Sequence, residues 1–83
     1  MSKRLFVGSL AWGTTDQTLK SHFEQAGQVE SANVIMDKMS GRSKGFGFVE
    51  MASDAEASDA IAKLNGSELD GRKIVVSEAR PKA

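Results

Sequence analysis

The stretch KGFGFVEM, residues 44–51, alternates aromatic residues with glycines, and this alternation decides the fold. Successive side chains of a β-strand point to opposite faces of a sheet, so Phe46 and Phe48 share a face with Lys44 and Glu50. The other face carries only small or apolar residues, namely Gly45, Gly47, Val49 and Met51. Because an unpaired lysine or glutamate is rarely buried, the face with the charges is predicted to be in water, together with two phenyl rings.

The segments around this strand fit three further strands. Each alternates apolar and other residues, and they are predicted at residues 3–8, 29–36 and 72–79. The polar residues 38–43 form the loop between the second and third strands.

Two stretches with apolar residues at helical spacing separate the strands. The first predicted helix covers residues 16–26, with Thr15 as its N-terminal cap and Gly27 as a left-handed residue at its end. The second follows a capping-box pattern from Ser53 to Glu56 and is closed by the dipeptide at residues 65–66.

This order of elements predicts an α+β fold. It is a ferredoxin-like βαββαβ sandwich, in which a four-stranded antiparallel sheet carries two helices on one face. The side chains expected to point from the other strands toward the helices are Leu5, Val7, Val34, Ile74 and Val76, and strict alternation puts Met36 on the same side of its strand as Val34. The chain is predicted to be a single domain, residues 1–83, with a folded core over about residues 3–79 and a flexible tail at 80–83.

The composition argues against several classes of site. The chain has no cysteine and one histidine, so we expect no disulfide, no metal site and no cofactor. No stretch approaches the roughly 18 apolar residues of a membrane helix, and the basic start lacks the apolar core of a signal peptide, so a cytoplasmic setting is predicted. Eleven basic and eleven acidic side chains cancel, but the predicted helices hold five carboxylates and two lysines, which leaves basic residues in excess elsewhere.

A candidate binding surface lies on the predicted face away from the helices. Phe6, Phe46 and Phe48 fall on this face, and each exposed ring forgoes roughly 1.5–3 kcal/mol of burial. Flat rings flanked by cations suit single-stranded nucleic acid, because bases stack on the rings while phosphates meet the cations. The further predicted contacts are Arg4, Asn33, Ile35, Arg42, Lys44, Lys73 and Arg80. The predicted partner is single-stranded RNA, with single-stranded DNA left open, and the predicted state is a monomer.

Two short motifs carry a resemblance to a known family. LFVGSL at residues 5–10 and KGFGFVEM at residues 44–51 resemble the hexamer and octamer signatures of the RNA recognition motif family. The resemblance extends over DKMSGRSKGFGFV, AIAKLNG and LDGRKIVVSEARP. The chain is most similar to the compact one-domain members found in bacteria, which implies a bacterial, cytoplasmic protein. The alternative is a domain of a larger eukaryotic protein with a nuclear or cytoplasmic location. It implies that the first and third strands are neighbours, that the three phenyl rings stack bases, that Lys44 contacts phosphate, and that residues 78–81 line the exit of the bound strand. Ser9 and Met51 depart from the asparagine and aromatic residue usual in the two signatures.

Two other functions are compatible with the predicted fold. A protein-interaction module would use the same aromatic face. An acylphosphatase-like enzyme would need an arginine-containing phosphate cradle in the first loop, and GSLAWGTT has no arginine, so the chain is not expected to be an enzyme. Trp12 is predicted to be a hydrophobic plug over the start of the first helix, and His22 to lie on the flank of that helix.

Overall fold

The computed structural model describes residues 3–36, 39, 41 and 43–79, without the side chains of residues 43 and 44. Within these described residues, two helices and six strands follow one another. They are β1 (Arg4–Gly8), α1 (Asp16–Phe23), β2 (Val29–Met36), β3 (Ser43–Met51), α2 (Asp54–Leu64), β4 (Glu68–Leu69), β5 (Arg72–Lys73) and β6 (Val75–Glu78). Neither helix of the described ranges is long and apolar enough to span a bilayer.

Four strands form one antiparallel sheet in the order β2-β3-β1-β6. The predicted ferredoxin-like α+β fold is therefore confirmed, with β1 and β3 side by side at its centre. Their register places Phe6 opposite Phe48 and Gly8 opposite Phe46. Three phenylalanines thus meet in the middle of the sheet.

A small hairpin, which the sequence reasoning missed, precedes the last strand. The predicted strand over residues 72–79 is divided into β5, which pairs with β4, and β6, which pairs with β1. Asp70 and Gly71 both have positive φ, 52° and 84°, as the two central residues of a type I′ hairpin turn require. Aspartate followed by glycine is the residue pair that this turn favours.

The core lies between the sheet and the two helices. β1 contributes Leu5 and Val7, both fully buried, and they pack in one cluster with Leu19 and Phe23 of α1. The residues predicted to point inward from the other strands are buried as well: Val34, Val49, Met51, Ile74 and Val76. Since these side chains alternate with the phenylalanines, the rings are on the face without helices.

Both helices begin after the predicted capping residues, but α1 ends earlier than predicted. The Thr15 hydroxyl accepts from the Thr18 amide at 3.3 Å, and the Thr18 hydroxyl accepts from the Thr15 amide at 2.9 Å, which is a reciprocal capping box. α1 ends at Phe23, three residues earlier than predicted, because the chain tightens into a turn in which the Ala26 amide donates to the Phe23 carbonyl at 3.0 Å.

The contact between α2 and the segment before β2 explains why residue 27 is a glycine. Ser53 caps α2 by accepting from the Glu56 amide at 3.2 Å, while the Glu56 carboxylate also accepts from the Gln28 amide. The predicted left-handed conformation of Gly27 is wrong, since its φ is not positive. A Cβ at Gly27 would lie 3.0 Å from the Cβ of Glu56, so glycine is required there for close approach.

Candidate nucleic-acid interface

Three phenyl rings form a cluster on the helix-free face. The ring centroids of Phe6 and Phe46 are 5.7 Å apart with an interplanar angle of 29°, which is a stacked arrangement. Phe48 meets both rings edge to face, at 5.9 Å from Phe6 and 6.2 Å from Phe46. Because the rings cover one another, each is half-buried rather than fully exposed as the sequence reasoning expected. Their shared surface remains an apolar platform at the centre of the sheet.

Glycines on neighbouring positions make room for this cluster. A Cβ at Gly8 would lie 3.0 Å from Cε2 of Phe6 and 3.9 Å from Cβ of Val75, so the Phe6 ring occupies the space that a side chain would fill. Gly47, between the two phenylalanines of β3, approaches the backbone of β2, where an added Cβ would lie 3.0 Å from Cα of Val34. The alternation of glycine and phenylalanine therefore serves both close strand packing and ring placement.

A cation lies directly on the platform. The guanidinium carbon of Arg4 is 4.8 Å from the ring centroid of Phe48, a cation–π geometry. Arg4 is opposite Glu50 in the register of β1 and β3. The sequence-predicted arginine is therefore beside the rings, at the amino end of β1.

The other residues predicted to contact RNA lie on several different parts of the chain. Asn33 is exposed and lies opposite Phe48, on the β2 side of the platform. Ile35 is half-buried and lies where the pairing register of β2 with β3 shifts, between Val34 and Met36. Lys73 is exposed and lies in β5, which pairs with β4 outside the four-stranded sheet. Arg42 and Arg80 lie outside the described residues, as does the side chain of Lys44.

Three exposed apolar side chains were missed or misplaced. Trp12 is 68% exposed, so its predicted role as a plug is wrong, and Leu10, which is 2% exposed, is buried in that region instead. Val75 is 49% exposed on β6, opposite Gly8, and alternation with its two buried neighbours was the signal that pointed to it. Met36, predicted to point inward, is 50% exposed because the β2 register shifts just before it.

Polar contacts join α1 and the loop before it to the segment that contains the β4–β5 hairpin. Nε2 of His22 is 2.9 Å from the Ser67 hydroxyl, and the buried Thr14 hydroxyl donates to the Asp70 carboxylate at 2.8 Å. Partial burial lowers the pKa of His22, and the negative charge of Asp70 opposes that shift. His22 thus lies on the flank of α1, as predicted.

A shallow cleft accompanies these contacts on the helix side. Its volume is about 350 Å³, and it is lined by Gln17, Thr18, Ser21, His22, Gln25 and Leu69. Within the described ranges, no three histidine, cysteine or carboxylate side chains are grouped so that they could hold a metal ion. The aromatic platform is therefore the more distinctive candidate site.

Known proteins share both the sequence and the fold. The family model for the RNA recognition motif matches residues 5–75. The 29 kDa chloroplastic ribonucleoprotein of Arabidopsis thaliana is 55% identical over 76 residues, which cover 92% of this chain and 22% of the relative. The chain spans about a quarter of the length of such chloroplastic relatives.

Two solved structures are close in shape. The complex of the SXL-lethal protein with RNA superposes with a TM-score of 0.91 at 30% identity, over all of this chain and 50% of that one. RNA binding protein PG1 has a TM-score of 0.88 at 43% identity, over 98% of this chain and 100% of that one. The backbone that carries the three rings is therefore shared with RNA-binding proteins.

The relatives also correct the predicted location. Four of them, from Arabidopsis thaliana and two Nicotiana species, are named as three chloroplastic ribonucleoproteins and one chloroplastic RNA-binding protein, and they are between 51% and 55% identical to this chain. The expectation of a bacterial, cytoplasmic protein is contradicted by these plant organellar relatives.

Proposed function

This chain belongs to the RNA recognition motif family, and we propose that it binds single-stranded RNA by stacking bases on Phe6, Phe46 and Phe48. The observation that supports this most strongly is the cluster of three rings at the centre of the helix-free face. Relatives named as ribonucleoproteins and glycine-rich RNA-binding proteins support the same function. The platform acts by binding, and we assign it no catalytic step.

The size of the platform sets the expected affinity. Stacking contributes roughly 1–3 kcal/mol per base, so three bases give about 3–9 kcal/mol before ordering costs. A micromolar dissociation constant needs about 8 kcal/mol. We therefore expect the isolated domain to bind two to four nucleotides with micromolar or weaker affinity, and without strict sequence preference.

Arg4 has a specific part in this proposal. Its guanidinium carbon is 4.8 Å from the Phe48 centroid, a distance too short for a base to enter between them. A base that stacks on this face of Phe48 therefore displaces the guanidinium, at a cost of about 0.5–1 kcal/mol for the lost cation–π contact. We propose that the displaced guanidinium contacts a phosphate of the bound strand.

The remaining predicted residues serve the strand that crosses the platform. Asn33 can read a base edge through its amide, and Ile35 offers apolar contact on the same side. Arg42, Lys44, Lys73 and Arg80 are proposed as phosphate contacts. The residues from about 3 to 79 are proposed to fold as one domain that suffices for binding.

Substitution of one ring tests the proposal. Phe48→Ala removes a stacking surface and is expected to weaken binding about 5- to 150-fold, whereas Phe48→Tyr keeps the ring and most of the affinity. The measurement is fluorescence anisotropy of labelled eight-nucleotide RNA of random sequence, with circular dichroism to verify folding. Ser58→Ala, on the exposed side of α2, is the neutral control.

Two results would contradict RNA binding on this face. The first is equal affinity of the folded Phe48→Ala variant and the unmodified chain. The second is the absence of any binding up to millimolar RNA, which would favour a protein partner for the same rings.

A further inference from the structure

Both outer strands of the four-stranded sheet have a backbone amide that is bound by a side chain. The outer strands are β2 and β6, and an outer strand presents backbone groups with which a further strand can pair. On β2, the Val34 amide donates to the Asp16 carboxylate at 2.7 Å. On β6, the Val76 amide donates to the side-chain oxygen of Asn65 at 3.1 Å. The first residue of α1 and the C-terminal cap of α2 therefore each occupy one amide of an outer strand.

The backbone next to β6 is also covered by other hydrogen bonds. The Gly66 amide donates to the Ile74 carbonyl, and the Ile74 amide donates to the Ser67 carbonyl, both at 2.9 Å. β6 itself has four residues and ends in a charged one, Glu78. Short, charged and covered outer strands pair poorly with other chains. The bond from Asn65 is thus one of several features that protect this side of the sheet.

The outer side of β2 depends more heavily on Asp16. β2 has eight residues, and residues 31–34 pair regularly with β3 between two register shifts. The stretch SANVIM, residues 31–36, has no charge and no proline, which is typical of segments that pair with their own copies. Backbone groups alternate in direction along a strand, so those of Ala32 and Val34 face away from β3. We call these outward groups the β2 edge, and Asp16 occupies one of its two residues.

A second copy of this chain is the partner that fits the β2 edge. The net charge of the chain is zero, so two copies do not repel each other through their overall charge. Antiparallel pairing of two β2 strands about Asn33 brings Ala32 of each copy opposite Val34 of the other, as the exchange of two backbone hydrogen bonds requires. The same alignment places Glu30 opposite Met36, so that carboxylates do not face each other.

We propose that the β2 edge is a self-association site that Asp16 keeps closed. A second copy can bond to Val34 only after the Asp16 carboxylate has left the Val34 amide. Because the acceptor is a charged group, this requirement disfavours pairing by about 10- to 150-fold. The inference does not depend on RNA binding, since it concerns the outer side of a strand and not the face that carries the rings.

Sedimentation velocity of Asp16 variants tests this role. Asp16→Ala is expected to associate about 10- to 150-fold more strongly than the unmodified chain and to form dimers at concentrations at which that chain is monomeric. Asp16→Asn keeps an acceptor oxygen and should remain closer to the unmodified chain. Asn65→Ala is the matched control, because it removes the corresponding bond on β6 while the backbone bonds of Gly66 and Ser67 still cover Ile74. This control should remain monomeric, and circular dichroism verifies that each variant is folded.

Two further measurements locate the association on the β2 edge. Ser31 is exposed on β2, and a lysine on an outer strand opposes pairing, so Ser31→Lys added to Asp16→Ala should restore the monomer. Hydrogen exchange followed by nuclear magnetic resonance requires no variant. In the unmodified chain, the Val34 amide should exchange more slowly than the outward amide of Ala32, because Asp16 holds it.

Four results would overturn the inference. The first is a folded Asp16→Ala variant that is as monomeric as the unmodified chain. The second is equally strong association of Asn65→Ala, which would make loss of stability the cause. The third is a dimer of Asp16→Ala that persists with Ser31→Lys, which would place the contact elsewhere. The fourth, decisive even if Asp16→Ala does not fold, is exchange of the Val34 amide as fast as that of Ala32.

Discussion

Replacement of Gly47 by alanine should destabilise the sheet at the point where the rings are mounted. The added Cβ would lie 3.0 Å from Cα of Val34 and closer still to the carbonyl oxygen of Asn33, and both are backbone atoms that a rotamer change cannot move. Forcing a methyl group into a packed site costs about 1–3 kcal/mol. The lower entropy of the unfolded alanine chain returns about 0.4–1 kcal/mol. The difference is about 0–2.6 kcal/mol, and because both close atoms belong to the backbone, we expect a net loss of about 1–2 kcal/mol in the free energy of unfolding.

Thermal unfolding followed by circular dichroism measures this loss. For a domain of this size, 1–2 kcal/mol corresponds to a fall of roughly 5–15 °C in melting temperature. Gly13→Ala is the matched control, because a Cβ at Gly13 meets no atom within 4 Å and its φ is not positive. That variant should melt at the same temperature or higher. If Gly47→Ala melted as Gly13→Ala does, the close approach of β2 and β3 would not be the reason for this glycine.

Three further predictions concern pH, a buried hydrogen bond and salt. Burial lowers the pKa of His22 in the folded state, so the unfolded chain binds the proton more readily and stability should fall as pH decreases from 7.5 to 5.5, most steeply below about 6.5. Melting temperatures across this range should vary less for His22→Gln, and an equally steep dependence in that variant would refute the assignment. Thr14→Val should cost about 1.5–3 kcal/mol in urea unfolding, because it removes a hydrogen bond to a carboxylate, whereas Asp70→Asn keeps an acceptor and should cost less. Equal losses in the two variants would contradict that reasoning. RNA affinity should fall about tenfold to thirtyfold between 50 and 200 mM salt if about three phosphates are neutralised, and a flat response would exclude the proposed phosphate contacts.

The fold could be predicted because local patterns and long-range packing agree. The face that alternates with Phe46 and Phe48 holds Val49 and Met51, both fully buried, while Glu50 remains exposed. This one strand determined which side of the sheet the helices cover. The crossover rules then left few arrangements of the remaining elements.

Features that depend on contacts between distant segments were predicted less well. Gly27 is required by the side chain of Glu56, 29 positions away, so the sequence near Gly27 pointed to a left-handed turn that is not present. Met36 was assigned by strict alternation, which the register shift in β2 interrupts. The Asp70-Gly71 pair did carry a hairpin signal, but it was overlooked inside a longer strand pattern.

In the candidate site, too, local patterns were predicted well and features that depend on distant segments were predicted less well. The three phenyl rings followed from alternation within two strands, and the structure brings them together. Lys73 lies on the hairpin that was missed and not on the last strand of the four-stranded sheet. Trp12 was expected to be buried because aromatic residues near a helix start often pack on it, but Leu10 takes the buried position. Packing patterns carry no information about cellular location. The plant organellar relatives contradicted the predicted cytoplasmic location.

Nuclear magnetic resonance of the phenylalanine rings tests the central claim most directly. Random-sequence hexanucleotide RNA is added to the isotope-labelled chain while the ring resonances of Phe6, Phe46 and Phe48 are followed. We expect large, saturable shifts of all three rings, with the buried Phe23 ring little changed. Saturable shifts confined to the α1 and α2 amides, with the three rings unmoved, would show that RNA binds elsewhere and would contradict the account.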